Sequence, residues 1–392
     1  MSVKLNNVEC CGCGACENIC PKHAITMAED KETFRYPSIN KDLCVECGLC
    51  EKTCPLNYDD YIKPDGVKAL VGINKSADVN FKSSSGGAFS SIYESYLQDG
   101  YIIYGVKFDE NLQPVHDAAG TAEECEKFRK SKYVQSLDNG CYKKAAADLK
   151  AGKKVLFSGT SCQCAALNAF MKALRINTEN LVTVAIVCHG VPSQRMFEEY
   201  VKEEERKQNA KIISYSFKNK APHDNGIDTR SSYIIFDNGQ TSIRTTRNDP
   251  FLRGYYLRLF YRPSCGLCHF ARQERVSDIT IADAWGINKQ YPELKPVEGV
   301  SLILFNTAKG QEKLAEISEK MNLYEVSTDW ALNSQALFSR PTEMNPNRQR
   351  FFELWEKTDF KKAVYRCTRP TFKKTVLFAL RPIKKALKKI KK

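Results

Sequence analysis

Residues 8–25 read VECCGCGACENICPKHAI, with five cysteines inside eleven positions and a proline directly after the last of them. Setting Cys11 aside, the spacing is Cys10-x2-Cys13-x2-Cys16-x3-Cys20-Pro21, and it returns as Cys44-x2-Cys47-x2-Cys50-x3-Cys54-Pro55. Every cysteine is displaced by the same 34 positions, so the segment is duplicated. Gly12, Gly14 and Gly48 tolerate positive φ and suit loops that wrap closely around a bound group. Cys11 has no place in the pattern and is expected to be a spectator thiol.

The duplicated spacing is the signature of bacterial two-cluster ferredoxins, in which three closely spaced thiolates hold one 4Fe-4S cubane and the fourth reaches across to the other. Cys10, Cys13, Cys16 and Cys54 are therefore expected to bind one cluster, and Cys44, Cys47, Cys50 and Cys20 the second. Zinc sites pair two short Cys-x2-4-Cys hooks instead. A disulfide framework needs an oxidising compartment.

At 392 residues the chain can hold a small module plus one or two larger domains with substantial cores. Its start, MSVKLNNVECC, has no apolar signal-peptide core, and no apolar run nears the roughly 18 residues that span a bilayer. Seventeen cysteines without a secretion signal point to a reducing cytosol in which thiols serve metals. The net charge of +13 lies in the last segment: residues 360–392 carry 13 Lys or Arg and no acid, leaving 46 basic against 46 acidic residues before them. There RPTFKKTVLFALRPIKKALKKIKK interleaves apolar residues with lysines at roughly helical spacing, broken at Pro382. Such a basic amphipathic segment suits an anionic membrane surface at the cytoplasmic face. A disordered solubilising tail is the competing reading. Nucleic acid is disfavoured, because nothing else on the chain forms a basic reading surface.

After a polar linker, LNYDDYIKPDG, short apolar runs such as VKALVGIN, YIIYGVKF, KKVLFSG, LVTVAIVC and SDITIADAW alternate with helical patterns such as GAFSSIYESYLQDG and CQCAALNAFMKALRI. Alternating strand and helix predicts an α/β body with a mixed, partly parallel sheet behind the two-cluster module. The expected layout is the module at 1–60, the body at 61–310, a helical extension at 311–360 and the basic tail at 361–392. Two strand-to-helix junctions, KSSSGGAFS with Ser85, Gly86 and Gly87, and VLFSGTSCQ with Gly159 and Thr160, offer backbone N–H groups to a phosphate. Ordinary helix capping competes, since neither fits the Walker or dinucleotide pattern.

Cys162 and Cys188 each follow a predicted strand end, where the crevice of an α/β sheet opens, and Cys265 and Cys268 form a later Cys-x2-Cys hook. Four soft thiolates suit a third 4Fe-4S cluster, with structural zinc as the competitor. His189 and His269 adjoin two of these cysteines as ligands, proton donors or satisfied structural histidines. Cys125, Cys141, Cys164 and Cys367 show no partner spacing.

Taken together, SSSGGAFS, SKYVQS, VLFSGTSCQ, VCHGVPS and CGLCHFARQERVSDITIADAWG resemble the beta subunit family of coenzyme F-420 hydrogenase and dehydrogenase, over roughly residues 67 to 305. The resemblance implies FAD, with Ser85, Gly86, Gly87, Ser131 to Gln135 (Lys132, Tyr133 and Gln135 among them), Gly159 and Thr160 as places to look for its contacts. It also implies that Cys162, Cys188, Cys265 and Cys268 hold the cluster nearest the flavin. This chain departs from the family's GTPCQ at Ser161 and from its GDFWG at Ala282 and Ala284, which puts the native electron partner in doubt.

The expectation is a cytosolic oxidoreductase, peripheral to the membrane through its tail. Its ferredoxin-type clusters exchange single electrons with FAD, and FAD exchanges a pair with an organic substrate or a deazaflavin-type coenzyme. Bacterial relatives are associated with cell-surface polysaccharide synthesis. His189 is the candidate catalytic acid, and the partners are a ferredoxin or partner subunit and a small-molecule substrate. The alternative is a non-catalytic electron-transfer subunit of a larger redox complex.

Overall fold

The computed structural model describes residues 8–220, 230–294 and 299–369. Within the first module each cysteine loop turns into a short helix at a glycine in the left-handed region, Gly14 (φ 79°) before Ala15–Ile19 and Gly48 (φ 70°) before Leu49–Lys52. Between them β1 (Ile25–Glu29) and β2 (Arg35–Ile39) pair antiparallel, with Ile25 opposite Ile39.

The body's strands follow in chain order: β3 (Lys68–Asn74), β4 (Ile102–Phe108), β5 (Pro114–Ala119), β6 (Val155–Thr160), β7 (Leu181–Ile186), β8 (Ile212–Ser216), β9 (Ser232–Phe236), β10 (Thr241–Arg244), β11 (Ile279–Asp283), β12 (Ser301–Phe305) and β13 (Met321–Glu325). Eight of them form one sheet in the order β13-β3-β12-β11-β7-β6-β4-β5. The central β11, β7, β6 and β4 run parallel, and both flanks are antiparallel. This is the mixed α/β sheet the alternating runs predict.

Its parallel centre is buried on both faces, as apolar strands of this kind require. Leu156, Val182 and Val184 point to one side, against Ile92, Tyr93 and Tyr96 of helix Ala88–Leu97. Val155, Phe157 and Ala185 point to the other, against helices Cys141–Lys150 and Ser161–Ala173. Ala15 and Ile19 of the first module join that second cluster, so the module seats on the helical face of the body.

A second core gathers around β8, β9 and β10, where Phe197, Tyr200, Tyr215, Phe217, Phe251, Phe260, Phe351 and Phe360 pack together. Asp249 caps helix Pro250–Tyr256 through Leu252 N at 2.9 Å, and its other oxygen accepts from Tyr200, Tyr215 and Ser232.

Two expectations need adjustment. The span 311–360, expected mainly helical, contains β13, which pairs antiparallel with β3 and closes that edge of the sheet; five residues directly after helix Leu314–Lys320 carry too little alternation to stand out. The expected tail begins inside helix Phe360–Thr368, whose Ala363, Val364 and Cys367 are buried against the aromatic core. Most of that tail, residues 370–392, lies outside the described residues. Among the described residues, no helix is long and apolar enough to cross a membrane.

Candidate functional site

The two copies of the cysteine loop interleave. One pocket is lined by Cys10, Cys13, Cys16 and Cys54, with Cys11, Cys50, Pro55 and Leu56. A second is lined by Cys20, Cys44, Cys47 and Cys50, with Pro21, Ile25 and Ile39. Each fourth cysteine thus stands with the other repeat's triplet. Backbone N–H groups already reach the sulfurs, as in Ala24 N to Cys20 Sγ at 3.2 Å. Burial pushes the Cys16 thiol up to about 12, and Cys10, Cys54 and Cys50 add to the shift. Crowded, buried thiols of this kind ionise only when positive charge arrives among them, which is what iron supplies.

The same convergence occurs on the body. Cys162 sits in the first turn of helix Ser161–Ala173, with Thr160 Oγ1 3.1 Å from its sulfur. Cys188 follows β7 and receives Gly190 N at 3.4 Å. Cys265 and Cys268 lie on and just after the turn Pro263–Leu267. Burial first, then Cys265, Cys162 and Cys268, raise the Cys188 thiol well above its usual range, so the four form one electrostatic group. Among the described residues no three His, Cys, Asp or Glu side chains gather tightly enough for a single metal ion. Four-coordinate zinc draws its sulfurs to about 2.3 Å, whereas a cubane spreads its thiolates over the corners of a larger frame.

Cys11 is not a bystander in the structure. Its thiol lies beside those of Cys13 of the first set and Cys162 of the body. Its carbonyl accepts Gln135 Nε2 at 2.9 Å, and the same amide reaches Gly12 O at 3.0 Å. Arg262, fully buried, donates to the carbonyls of Cys10 and Arg35 and to Gln135 Oε1, and its guanidinium lies over Tyr36 at 4.5 Å. A Cβ on Gly12 would stand 2.1 Å from Arg262 Nη2, so glycine is needed there for this approach as well as for its φ of 64°. Asn18 on Asp138 at 2.6 Å and Arg348 on Glu32 complete the seam between module and body.

The residues singled out for FAD divide. Gly86 and Gly87 have a packing reason of their own: a Cβ on Gly86 would meet Gly72 O at 2.3 Å and Ser301 N at 2.7 Å, and one on Gly87 would meet Asn74 Cβ at 2.9 Å. Gly86→Ala is expected to cost about 1–3 kcal/mol in thermal or denaturant unfolding. Ser85 donates to Val300 O at 2.9 Å, and its own carbonyl accepts Lys220 Nζ at 2.6 Å. Helix Ala88–Leu97 has no side-chain cap at its N-terminus. The second junction is self-capped, because Gln163 Oε1 takes the Thr160 N–H at 3.0 Å and Gln163 lies beside Gly159.

Segment Ser131–Gln135 connects the first junction to the module. Ser131 N donates to Ser84 Oγ at 2.8 Å, Tyr133 stacks on Tyr255 at 4.4 Å, and Gln135 reaches the Cys11 loop. Lys132 Nζ donates to the carbonyls of Lys127 and Arg129, and burial, aided by Lys130, pushes it down to about 7.

At the carboxyl ends of β7 and β11, His189 faces Trp285 at a ring separation of 5.2 Å. Beside it Lys218 pairs with Asp283 at 2.8 Å. Burial lowers the His189 pKa, with Asp283 opposing and Lys218 and Arg258 adding, so the ring is neutral at pH 7. His269 stands apart from this crevice, 3.5 Å from Glu9 on the module. Ser161 accepts Arg275 Nη2 at 3.0 Å and so fixes a buried guanidinium near Cys268. Sequence reasoning missed Cys11, Arg262, Arg275, Lys218 and Asp283. Only the unmatched fifth cysteine of the opening segment carried a visible signal.

Residues 152–329 match the family described as the C terminus of the coenzyme F420 hydrogenase/dehydrogenase beta subunit, and residues 9–58 match the 4Fe-4S dicluster domain. No curated protein matches the chain. Among solved structures, a chain of the xenon-derivatised F420-reducing NiFe hydrogenase complex from Methanosarcina barkeri aligns with a TM-score of 0.45 and 17% identity, over 75% of this chain and 89% of that one.

Proposed function

We propose that this chain, which joins a 4Fe-4S dicluster domain to the C-terminal region of the coenzyme F420 hydrogenase/dehydrogenase beta subunits, is an oxidoreductase that carries electrons through three thiol-held centres to FAD. The observation that supports this most is contiguity. Cys50 lines both module pockets, and Gln135 and Arg262 of the body hold the loop of Cys10, Cys11 and Gly12. Cys20, Cys44, Cys47 and Cys50 would hold one cluster, Cys10, Cys13, Cys16 and Cys54 a second, and Cys162, Cys188, Cys265 and Cys268 a third, and together these would supply single-electron transfer between a redox partner and the crevice.

When bound, FAD takes electrons singly and gives them as a pair. The chain's own residues position it. The helix Ala88–Leu97 behind Ser85–Gly87, which has no side-chain cap, offers backbone donors to a diphosphate, and Tyr133 and Gln135 run from there toward the thiol sets. His189, over Trp285, is the group assigned to hold a proton for an organic substrate or deazaflavin-type coenzyme. A substrate linked to cell-surface polysaccharide synthesis is part of the proposal.

One experiment tests the reading. Anaerobically purified full chain is mixed with reduced ferredoxin and a flavin-directed acceptor. Turnover by the chain alone supports it. Turnover only with an added partner subunit supports a non-catalytic wiring subunit, a second reading favoured by Leu43 and Val45, 50% and 58% exposed around the exposed Cys47.

A pH effect follows from Lys132. Its lowered pKa means the ammonium is present below about 7 and lost above it, so an anionic ligand binds better on the acid side. The Kd for FAD is expected to rise as pH increases through that value, and Lys132→Met to flatten the profile. A profile identical in wild type and variant would remove Lys132 from the site.

A further inference from the structure

We propose that Cys11 is the link through which the first module centre exchanges electrons with the body: it lines the pocket of Cys10, Cys13 and Cys16, and its loop is held from the body by Gln135 and Arg262. The proposal rests on the reading that both thiol sets hold iron-sulfur clusters.

Three observations carry it. Cys11 lies outside the duplicated ligand pattern, since Cys10, Cys13 and Cys16 already complete the triplet of their copy. It nevertheless lines the same pocket as that triplet. Its position is imposed from the body, because Gln135 Nε2 holds the carbonyls of Cys11 and Gly12, and Arg262 holds that of Cys10. Arg262 in turn accepts Cys265 N on its own carbonyl at 3.0 Å, so one residue ties the Cys11 loop to the hook that carries Cys265 and Cys268. Elements more than 100 residues apart therefore fix this one thiol between two ligand sulfurs.

The chemistry of a bridging thiol follows. When Cys13 and Cys162 are deprotonated ligands, Cys11 has one S–H proton and can donate it to one sulfur while its lone pairs face the other. Hydrogen bonds to ligand sulfurs set a cluster's potential, so this proton tunes one centre relative to its neighbour. The polarisable sulfur also fills the gap that an electron must cross. One electron leaves the Cys13 side and arrives at the Cys162 side; Cys11 keeps its proton and its oxidation state.

The test uses the full chain, reconstituted anaerobically, as wild type, Cys11→Ala and Cys11→Ser. Iron content, potentials from an EPR-monitored titration, and the rate at which the body centre is reduced by a 4Fe-4S ferredoxin are measured in each. Expected in Cys11→Ala are unchanged iron, a shifted midpoint for one of the two centres, and a body-reduction phase slowed about 10-fold or more. Cys11→Ser, which keeps an O–H donor, is expected to restore the midpoint in part. Full iron with unchanged midpoints and rate overturns the proposal. So does loss of iron in Cys11→Ala, which would make Cys11 a ligand. A wild-type chain with only the module's iron would instead bring down the three-centre reading, because no body centre would exist to receive the electron.

Discussion

Replacing Cys54 by serine is expected to remove about four of roughly twelve iron atoms, and the loss is expected to fall on the centre of the opposite repeat. The decisive comparison is between double variants. Cys10 and Cys54 line one pocket, so Cys10→Ser with Cys54→Ser should lose only about four iron atoms, no more than either alone. Cys10 and Cys20 belong to the same repeat but line different pockets, so that pair should lose about eight. If each repeat held its own cluster the two results would be exchanged. Iron and labile-sulfide counts on the anaerobic protein read the difference directly, without any substrate.

The second large effect concerns the seam. Arg262 is 0% exposed, and it donates to the carbonyls of Cys10 and Arg35 and to Gln135 Oε1. Arg262→Ala leaves these acceptors buried and unmatched, at about 1–3 kcal/mol for each group that water cannot reach. It also removes the guanidinium from over Phe34 and Tyr36. A loss of about 3 kcal/mol or more in module attachment is expected, seen as faster amide exchange in residues 10–40 and easier cleavage near residue 60. Arg262→Lys should rescue little, because a single ammonium cannot serve three acceptors arranged around a planar fork. Unchanged exchange in Arg262→Ala would show that Asn18 with Asp138 and Arg348 with Glu32 suffice to hold the module.

How much of this was legible depends on the range over which each residue acts. A cluster loop is local, so the eight module cysteines are readable from spacing, crossover included. The alternation of apolar runs and helical patterns likewise predicts the parallel centre, because strands buried on both faces must be continuously apolar. Cys162 and Cys188 were singled out as residues after strand ends, and they do follow β6 and β7.

Cys11 looked superfluous because its partners are 2 and 151 positions away, and no local pattern encodes the second. Arg262 sat unnoticed in YRPSCGLC for the same reason, being 250 positions from the Gly12 that makes room for it. The glycines at 86 and 87 invited a phosphate-binding reading, yet their lack of a side chain is already required by Gly72, Ser301 and Asn74. Strand β13 escaped because, at the sheet edge, only Met321 of its five residues is fully buried and the others carry no clear alternation.

Three iron-sulfur centres feeding a flavin are the central claim. The iron, labile-sulfide and flavin content of the full chain, purified without oxygen, measures this in one preparation. About twelve iron and twelve sulfide per chain with one FAD is the predicted result. About eight iron with no flavin would leave a two-cluster module on a body that holds neither centre, and would contradict it.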